Sequence, residues 1–467
     1  MNNITINPNT ASAYQLFHDG ILALGRAEQQ GMRIDLDYVK VTKEKLSKKI
    51  QKIEKEFEAT NFYKHWKHTS KGTPNIGSNP QLASFLYKVK KITPAKLTET
   101  GKGSTDDDAL KQLQMTELDM ILEIRKLKKV RDTYLDAFAR EQVKGYLHPF
   151  FNLHIPVTFR SSSNSPNFQN QPKRDPEAMK LVRDAVYPRP GHQLMAVDFK
   201  GIEVAIAACY HKDPVMVKYL KDSTSDMHGD MAAQIFCVDD FDKHITEHKF
   251  LRTATKNGFV FPQFYGDYYK NNAVSLCQWV GLSQGVWKTG QGVKMPGGKF
   301  ISNHMKEQGI NSFDGFCTHL QEIESDFWKR RFKVYGKWKE KWYAEYLKNG
   351  YMDSYTGFRF KGVMRKNEVI NYPVQGAAFH CLLWCFIQLD KFFAEKGWKT
   401  RLIGQIHDEV TLDVAPDELL KVSKIVKRIT TVDLPKAFPW INVPLEVSAE
   451  LAGVDCSWAT LEEYKLP

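Results

Sequence analysis

Two aspartates far apart in the chain, Asp198 and Asp408, each follow an apolar run: Leu194-Met195-Ala196-Val197 before the first, Leu402 to Ile406 before the second. Strands hold their terminal residues rigidly, and two strands of one sheet can bring two carboxylates together. Such a pair suits hard divalent cations; two ions ~3.5–4 Å apart lower the pKa of an attacking hydroxyl and stabilise the oxygens of a departing pyrophosphate. A single aspartate at a strand end is more often a turn or cap residue, so the intervening residues decide. Arg252 and Lys256 are four apart and share one helix face, with Phe259, Phe261 and Phe264 close behind them before Tyr265-Gly266. Cations beside aromatics suit a triphosphate and its base, although an exposed basic face over a buried aromatic one has the same pattern.

The elements that must position these groups are readable in outline. A buried strand ends in Asp198, a helix starts at Ile202, and a mainly helical stretch runs to about residue 350. Leu402, Ile403 and Ile406, then Val410, Leu412 and Val414, form two strands of a hairpin with His407-Asp408-Glu409 at its turn. Upstream, Ala11 to about Phe62 is helical and Lys-rich, with a short extended piece at Gly31 to Asp35, and Ser70 to Pro80 breaks the helices. Ile121, Ile124, Leu127, Val130, Tyr134 and Phe138 mark an amphipathic helix whose Arg125, Lys126, Lys128 and Lys129 fall mostly on other faces. Thr100 to Thr105 imitates a phosphate-binding P-loop, but the first glycine of that motif is missing, which excludes an ATP site. A loop touching DNA phosphates and a helix N-terminus capped by Ser104 or Thr105 both fit it. Gly281 to Gly298 is the glycine-dense stretch, and a mobile surface element is expected there.

With 467 residues and 53.8 kDa, the chain should divide into two to four packed subdomains. Hydrophobic residues at 42% and charged ones at 26% exclude a disordered chain. A net charge of +12 favours a polyanionic partner such as nucleic acid. Seven cysteines without CxxC pairs fit a reducing compartment. The first ten residues lack a basic region followed by an apolar stretch, and no apolar run approaching the ~20 residues of a membrane span is expected.

The segment Asp198 to Glu203, with its Asp and a Glu five positions on, resembles motif A of the family A (bacterial DNA polymerase I-like, including phage-type) DNA polymerases. Arg252-Thr-Ala-Thr-Lys256 with Phe261 and Tyr265-Gly266 resembles motif B, and His407-Asp408-Glu409 motif C. Thr158 to Ser162, continuing into Pro166 to Asn170 and Arg174, is similar to the stretch opening the family's palm, with Phe159 in place of the usual glycine. Asn371 to Gly376 resembles the template-contacting segment, and Asp226-Met227-His228 the fingers histidine. The likeness covers nearly the whole chain from about Leu24. Two departures stand out: Lys256 to Tyr265 spans nine residues where the family usually has eight, and Gly266 to Phe327 is longer than usual.

The resemblance implies an α/β right-hand polymerase fold of several subdomains: an N-terminal helical segment and thumb over 1–150, a mixed α/β palm from 151–212 and 355–467, and helical fingers over 213–354. It implies template-directed extension of a primer 3′-OH with deoxynucleoside triphosphates, with two Mg2+ ions, or Mn2+ as a substitute, held by Asp198, the Phe199 carbonyl and Asp408. Lys256 would help protonate the leaving pyrophosphate; Arg252, Lys256, His228, Glu203, Phe261, Tyr265 and Arg174 would bind the incoming nucleotide. Arg160, Asn371, Gln375, His407, Lys128 and Glu409 would face the DNA, Glu409 also supporting the metals. It further implies a cytoplasmic, monomeric chain in a bacterial cell or phage-infected host, without membrane partners and served by separate exonuclease or replication proteins. Proofreading is expected to be absent, because thumb-like sequence already begins near Gly25 to Gly31 and Asp35/Asp37 read as a turn or cap. A single-subunit RNA polymerase and a catalytically silent DNA-binding scaffold are the rivals; Glu203, which would close the ribose 2′-OH space, opposes the first, and the intact aspartates oppose the second.

Overall fold

Helix formation at the N-terminus follows the apolar periodicity. In the computed structural model, which describes residues 10–70, 72–98, 100–172, 175–222 and 224–467, α1 (Thr10–Gln30) ends at Gly31, a three-residue strand Met32–Ile34 follows, and α2 (Leu36–Ala59) begins. Asp35 caps α2, its carboxylate accepting the Tyr38 N–H at 2.8 Å, as a helix cap should. The amphipathic helix is α3 (Thr116–Lys128), continued by a π-helical stretch, Lys129–Leu135, and a last turn to Glu141. The helix after the Gly101 loop starts at Asp107 and is capped by Asp106, not by Ser104 or Thr105; Ser104 instead accepts the Asp106 N–H.

Five of the strands form the largest sheet, which is antiparallel. β1 (Gln193–Phe199), β2 (Arg401–Ile406), β3 (Glu409–Val414), β4 (Val447–Leu451) and β5 (Glu462–Tyr464) lie in the order β5-β4-β1-β3-β2. Six of the seven β1 residues are buried, because both faces are covered. Met195, Val197, Val410 and Leu412 face the main core, while Leu194 and Ile403 face a second one with Phe168 and Trp458. The unbroken apolar run before Asp198 is the sequence mark of that two-sided burial.

Between β1 and β2 the chain is mainly helical, with one short hairpin of Tyr351–Asp353 and Arg359–Lys361. α4 (Ile202–His211) leaves the sheet through Gly201, whose left-handed φ of 61° makes the turn. Then come α5 (Met227–Ile235), α6 (Thr246–Thr255), α7 (Phe261–Phe264), α8 (Tyr269–Val280), α9 (Ile301–Glu307), α10 (Phe313–Asp326) and α11 (Lys333–Asn349). α12 (Lys366–Lys396) packs against α1, α4 and β2. It overturns the expectation that no apolar stretch is long enough to span a bilayer: its 31 residues reach a mean hydropathy of 1.2 in one window. That window is 67% buried inside the protein, and a helix apolar all round and so enclosed is a core helix.

Candidate active site

Strand register brings the two aspartates together. Asp198 pairs directly with Glu409 across β1 and β3, and the Phe199 N–H donates to the Asp408 carbonyl at 3.3 Å. Both carboxylates therefore sit at the same end of neighbouring strands. The turn is only His407-Asp408, and His407 takes a left-handed φ of 53°, a conformation that costs a non-glycine residue about 1 kcal/mol or more.

Above the strand ends the side chains are linked. Arg160 Nη1 bonds Glu203 Oε1 at 3.0 Å, and its Nη2 lies 3.8 Å from Asp408 Oδ1. The Tyr265 hydroxyl donates to the other Glu203 oxygen. Burial pushes the Glu203 carboxyl up, against the pull of Tyr265 and Arg160. Burial, then the Glu203 charge, raises the Tyr265 phenol. These groups, with Phe261, Asn371, Gln375 and His407, line a cavity of about 350 Å³ at the sheet edge.

The cations form a second cluster, joined to that cavity by Phe261. Arg252 Nε bonds Asp226 Oδ2 at 2.6 Å. Lys256 Nζ lies 5.2 Å from the centre of the Phe261 ring, and His228 meets that ring edge-on at 5.7 Å. Burial, reinforced by Arg252 and Lys256, pulls the His228 imidazole down to about 4. Asp226 Oδ1 and His228 Nδ1 are buried without a hydrogen-bond partner, and such atoms call for a ligand or water.

The surplus residue between Lys256 and Tyr265 is absorbed by a π-helical turn, Lys256–Val260, in which the Phe261 N–H bonds the Lys256 carbonyl. A π turn takes up one extra residue without reversing the helix, so Lys256 and Phe261 stay neighbours. Phe159, where the family usually has glycine, keeps a glycine-like φ of 53° and packs on Phe358 and Phe360.

Asn371 Nδ2 donates to the Tyr265 carbonyl and Asn367 Nδ2 to that of Gly266, each at 3.2 Å. At Gly266, φ 89°, an added Cβ would lie 2.2 Å from Asn367 Oδ1, so a larger residue would strain the backbone and displace the Asn367 amide. Sequence reading missed Asn367, although its spacing of four from Asn371 on one helix face was a usable signal. It also missed Asp226 as the partner of Arg252, and Gln405, which accepts from Ser161 and Gln169 and donates to the His407 carbonyl. Lys128 lies apart from the cavity and is paired with Glu54 at 2.7 Å. Arg174 lies outside the described residues.

A scan against family models matches DNA polymerase family A over residues 36–284 and 325–459. The chain belongs to the family A DNA polymerases. It is 27% identical to the thermostable DNA polymerase I of Thermus filiformis over 93% of this chain and 46% of that protein. It is 28% identical to DNA polymerase I of Aquifex aeolicus over 85% and 60%, and 26% identical to the DNA polymerase of Bacillus phage SP01 over 76% and 36%. This family A chain thus spans about half the length of such curated relatives. Its fold matches the POL domain of Pol1 from M. smegmatis, solved with DNA primer-template and dNTP, with a TM-score of 0.71 at 23% identity, over 94% of this chain and 70% of that one. That likeness carries the right-hand polymerase fold.

The match stops at residue 284 and resumes at 325, where the sequence is longer than the family's. The glycine-dense stretch is mostly exposed but is pinned at several points. Trp287 and Met295 are buried in the main core, and backbone bonds tie Val293 to Val280 and Trp287 to Asn311.

The donor set fits a hard divalent ion. Among the described residues no group of three or more His, Cys, Asp or Glu side chains converges on one point, while Asp198 and Asp408 stand at the same end of neighbouring strands. Magnesium is bound through one or two carboxylates and completes its octahedron with water and phosphate oxygens.

Proposed function

We propose that this chain is a template-directed DNA polymerase that extends a primer 3′-OH with deoxynucleoside triphosphates. The observation that carries the reading is the placement of Asp198 and Asp408 at the same end of neighbouring strands, Asp408 lining a cavity with Glu203 and Tyr265. Asp198, Asp408 and the Phe199 carbonyl would hold two magnesium ions, Mn2+ serving as a substitute. When bound, these ions supply a lowered pKa for the primer hydroxyl and charge neutralisation at the pyrophosphate.

The chain's own residues do the rest. Arg252, Lys256 and His228 bind the triphosphate, Arg174 assisting; Lys256 also gives a proton to the leaving pyrophosphate. Phe261 packs against the nucleotide. Glu203, fixed between Arg160 and Tyr265, occupies the space a 2′-OH would need, which favours DNA over RNA synthesis. Arg160, His407, Gln375 and Asn371 face the primer terminus and template, where they touch minor-groove acceptors that every correct pair presents alike. Glu409 supports the metal site, and Lys128 meets the DNA backbone farther out.

The sheet elements within 151–212 and 355–467 serve as palm, 213–354 as fingers and the helices up to 150 as thumb. The bacterial and phage relatives favour a cytoplasmic enzyme; it would work as a monomer beside separate exonuclease or replication proteins. Primer extension with magnesium, run once with deoxynucleotides and once with ribonucleotides, tests the reading. Extension with deoxynucleotides alone upholds it; ribonucleotide preference makes it an RNA polymerase, and DNA binding without extension makes it a silent scaffold.

A further inference from the structure

The segment that the family model skips, residues 285–324, reaches back to the helix that carries His228. α5 begins at Met227 and ends at Ile235, and the last carbonyls of any helix lack partners within it. Here the carbonyls of four successive residues are reached by two imidazoles of the inserted segment. His304 on α9 places Nε2 2.8 Å from the Phe236 carbonyl and 3.2 Å from that of Cys237. His319 on α10 places Nε2 3.2 Å from the Ile235 carbonyl and 3.3 Å from that of Gln234. In both cases the nitrogen must carry its proton, since a carbonyl only accepts.

The chain beyond α5 needs this support. Cys237 has a left-handed φ of 52°, so the helix cannot continue, and no glycine is present to end it cheaply. The histidine-bearing helices are rooted in the main core through Ile301, Met305, Phe316 and Leu320. At the other end of α5, Asp226 holds Arg252 and His228 meets Phe261. α5 is therefore a short rod with the triphosphate cluster at its N-terminus and the inserted segment at its C-terminus.

We propose that His304 and His319 are positioning residues for nucleotide binding: by clamping the C-terminal carbonyls of α5, the inserted segment fixes the depth and direction at which His228 and Asp226 face the incoming triphosphate. The inference rests on the polymerase reading. It replaces a decorative insertion with one that tunes affinity for the nucleotide, touching neither DNA nor the reacting atoms.

The test uses the full chain with a primer-template whose primer ends in a dideoxynucleotide, so that the next complementary deoxynucleotide binds without chemistry. Its dissociation constant, and KM and kcat with an extendable primer, are measured for wild type, His304→Leu/His319→Leu and His304→Gln/His319→Gln. Glutamine retains an N–H donor at similar reach; leucine has none. Losing two such hydrogen bonds should weaken nucleotide binding and raise KM about 10-fold in the leucine variant, with kcat and DNA affinity within about threefold of wild type. The glutamine variant should recover most of the affinity.

Equal nucleotide affinity in all three overturns the inference. So does a loss in the leucine variant that extends to DNA affinity and thermal midpoint and that glutamine fails to rescue, since that marks simple destabilisation. If the leucine variant does not fold, the single variants His319→Leu and His319→Gln decide by the same comparison. A wild type that binds no nucleotide on this primer-template refutes the polymerase reading instead, and the positioning role with it.

Discussion

The Tyr265 hydroxyl donates to the same carboxylate, Glu203, that Arg160 holds at 3.0 Å. One partly buried acid thus joins the start of α4, the end of α7 and the residue after the Phe159 turn. Burial works against its charge, and the two donors that face it oppose that push. Removing it opens the cavity at the sugar position. Glu203→Ala should lower discrimination against ribonucleotides, as the ratio of kcat/KM values, by roughly 10- to 100-fold. Tyr265→Phe leaves Glu203 with one partner and should produce a smaller loss in the same direction. An unchanged ratio in Glu203→Ala would remove the residue from sugar selection.

The π turn at Lys256–Val260 makes a prediction about chain length. Deleting the exposed Asn257 should let the turn relax into α-helix while Lys256 still meets the ring four positions on, so extension should persist at a tenth of wild type or better. Deleting Thr253, inside regular helix, rotates Arg252 against Lys256 by about 100° and should abolish nucleotide binding. By family likeness, Phe261→Tyr should improve the use of dideoxynucleotides. Terminator selectivity unchanged in that variant would show that the turn puts another residue beside the sugar.

Two buried histidines tie stability to pH. Burial pulls His211 and His380 down to about 3 from an ordinary value of 6.5. Both stay neutral in the fold and take up a proton on unfolding, so the unfolded chain binds more protons between those values. Stability is full above pH 6.5 and falls as the pH drops toward 3. Thermal midpoints measured from pH 7.5 to 4.5 should decline below 6.5, and His211→Gln, which keeps an acceptor for the Asp213 N–H, should flatten that decline. A variant with the wild-type slope would contradict the assignment.

Much of this was legible in the sequence, for identifiable reasons. β1 could be read because both its faces are buried and its apolar run is unbroken; the hairpin, because its two strands flank an acidic turn. Burial of Glu203 against Arg160 was not legible, since the two are 43 positions apart in sequence and meet only through the fold. The inserted segment was legible only in part. Glycines at 281, 290, 292 and 297 have positive φ and serve tight turns, while Trp287 and Met295 between them anchor the core. Glycine density thus marked tight turns between core anchors.

Asp35 and Asp37 resemble a nuclease Asp-x-Glu pair only in spacing, and Asp35 is engaged as the cap of α2. The purified chain should therefore leave a 3′-mismatched, end-labelled primer intact in magnesium without nucleotides. Shortening that disappears in Asp35→Ala/Asp37→Ala would reveal a nuclease at that cap.

The central claim is that Asp198 and Asp408 form one metal-binding catalytic pair. Single-turnover extension of a primer by Asp198→Ala and Asp408→Ala, with DNA affinity measured in parallel, tests it most directly. Each substitution should slow extension by roughly three orders of magnitude, the loss of about 4 kcal/mol of transition-state stabilisation, while primer-template affinity stays within a few-fold of wild type. Near-normal turnover in either variant would contradict the account.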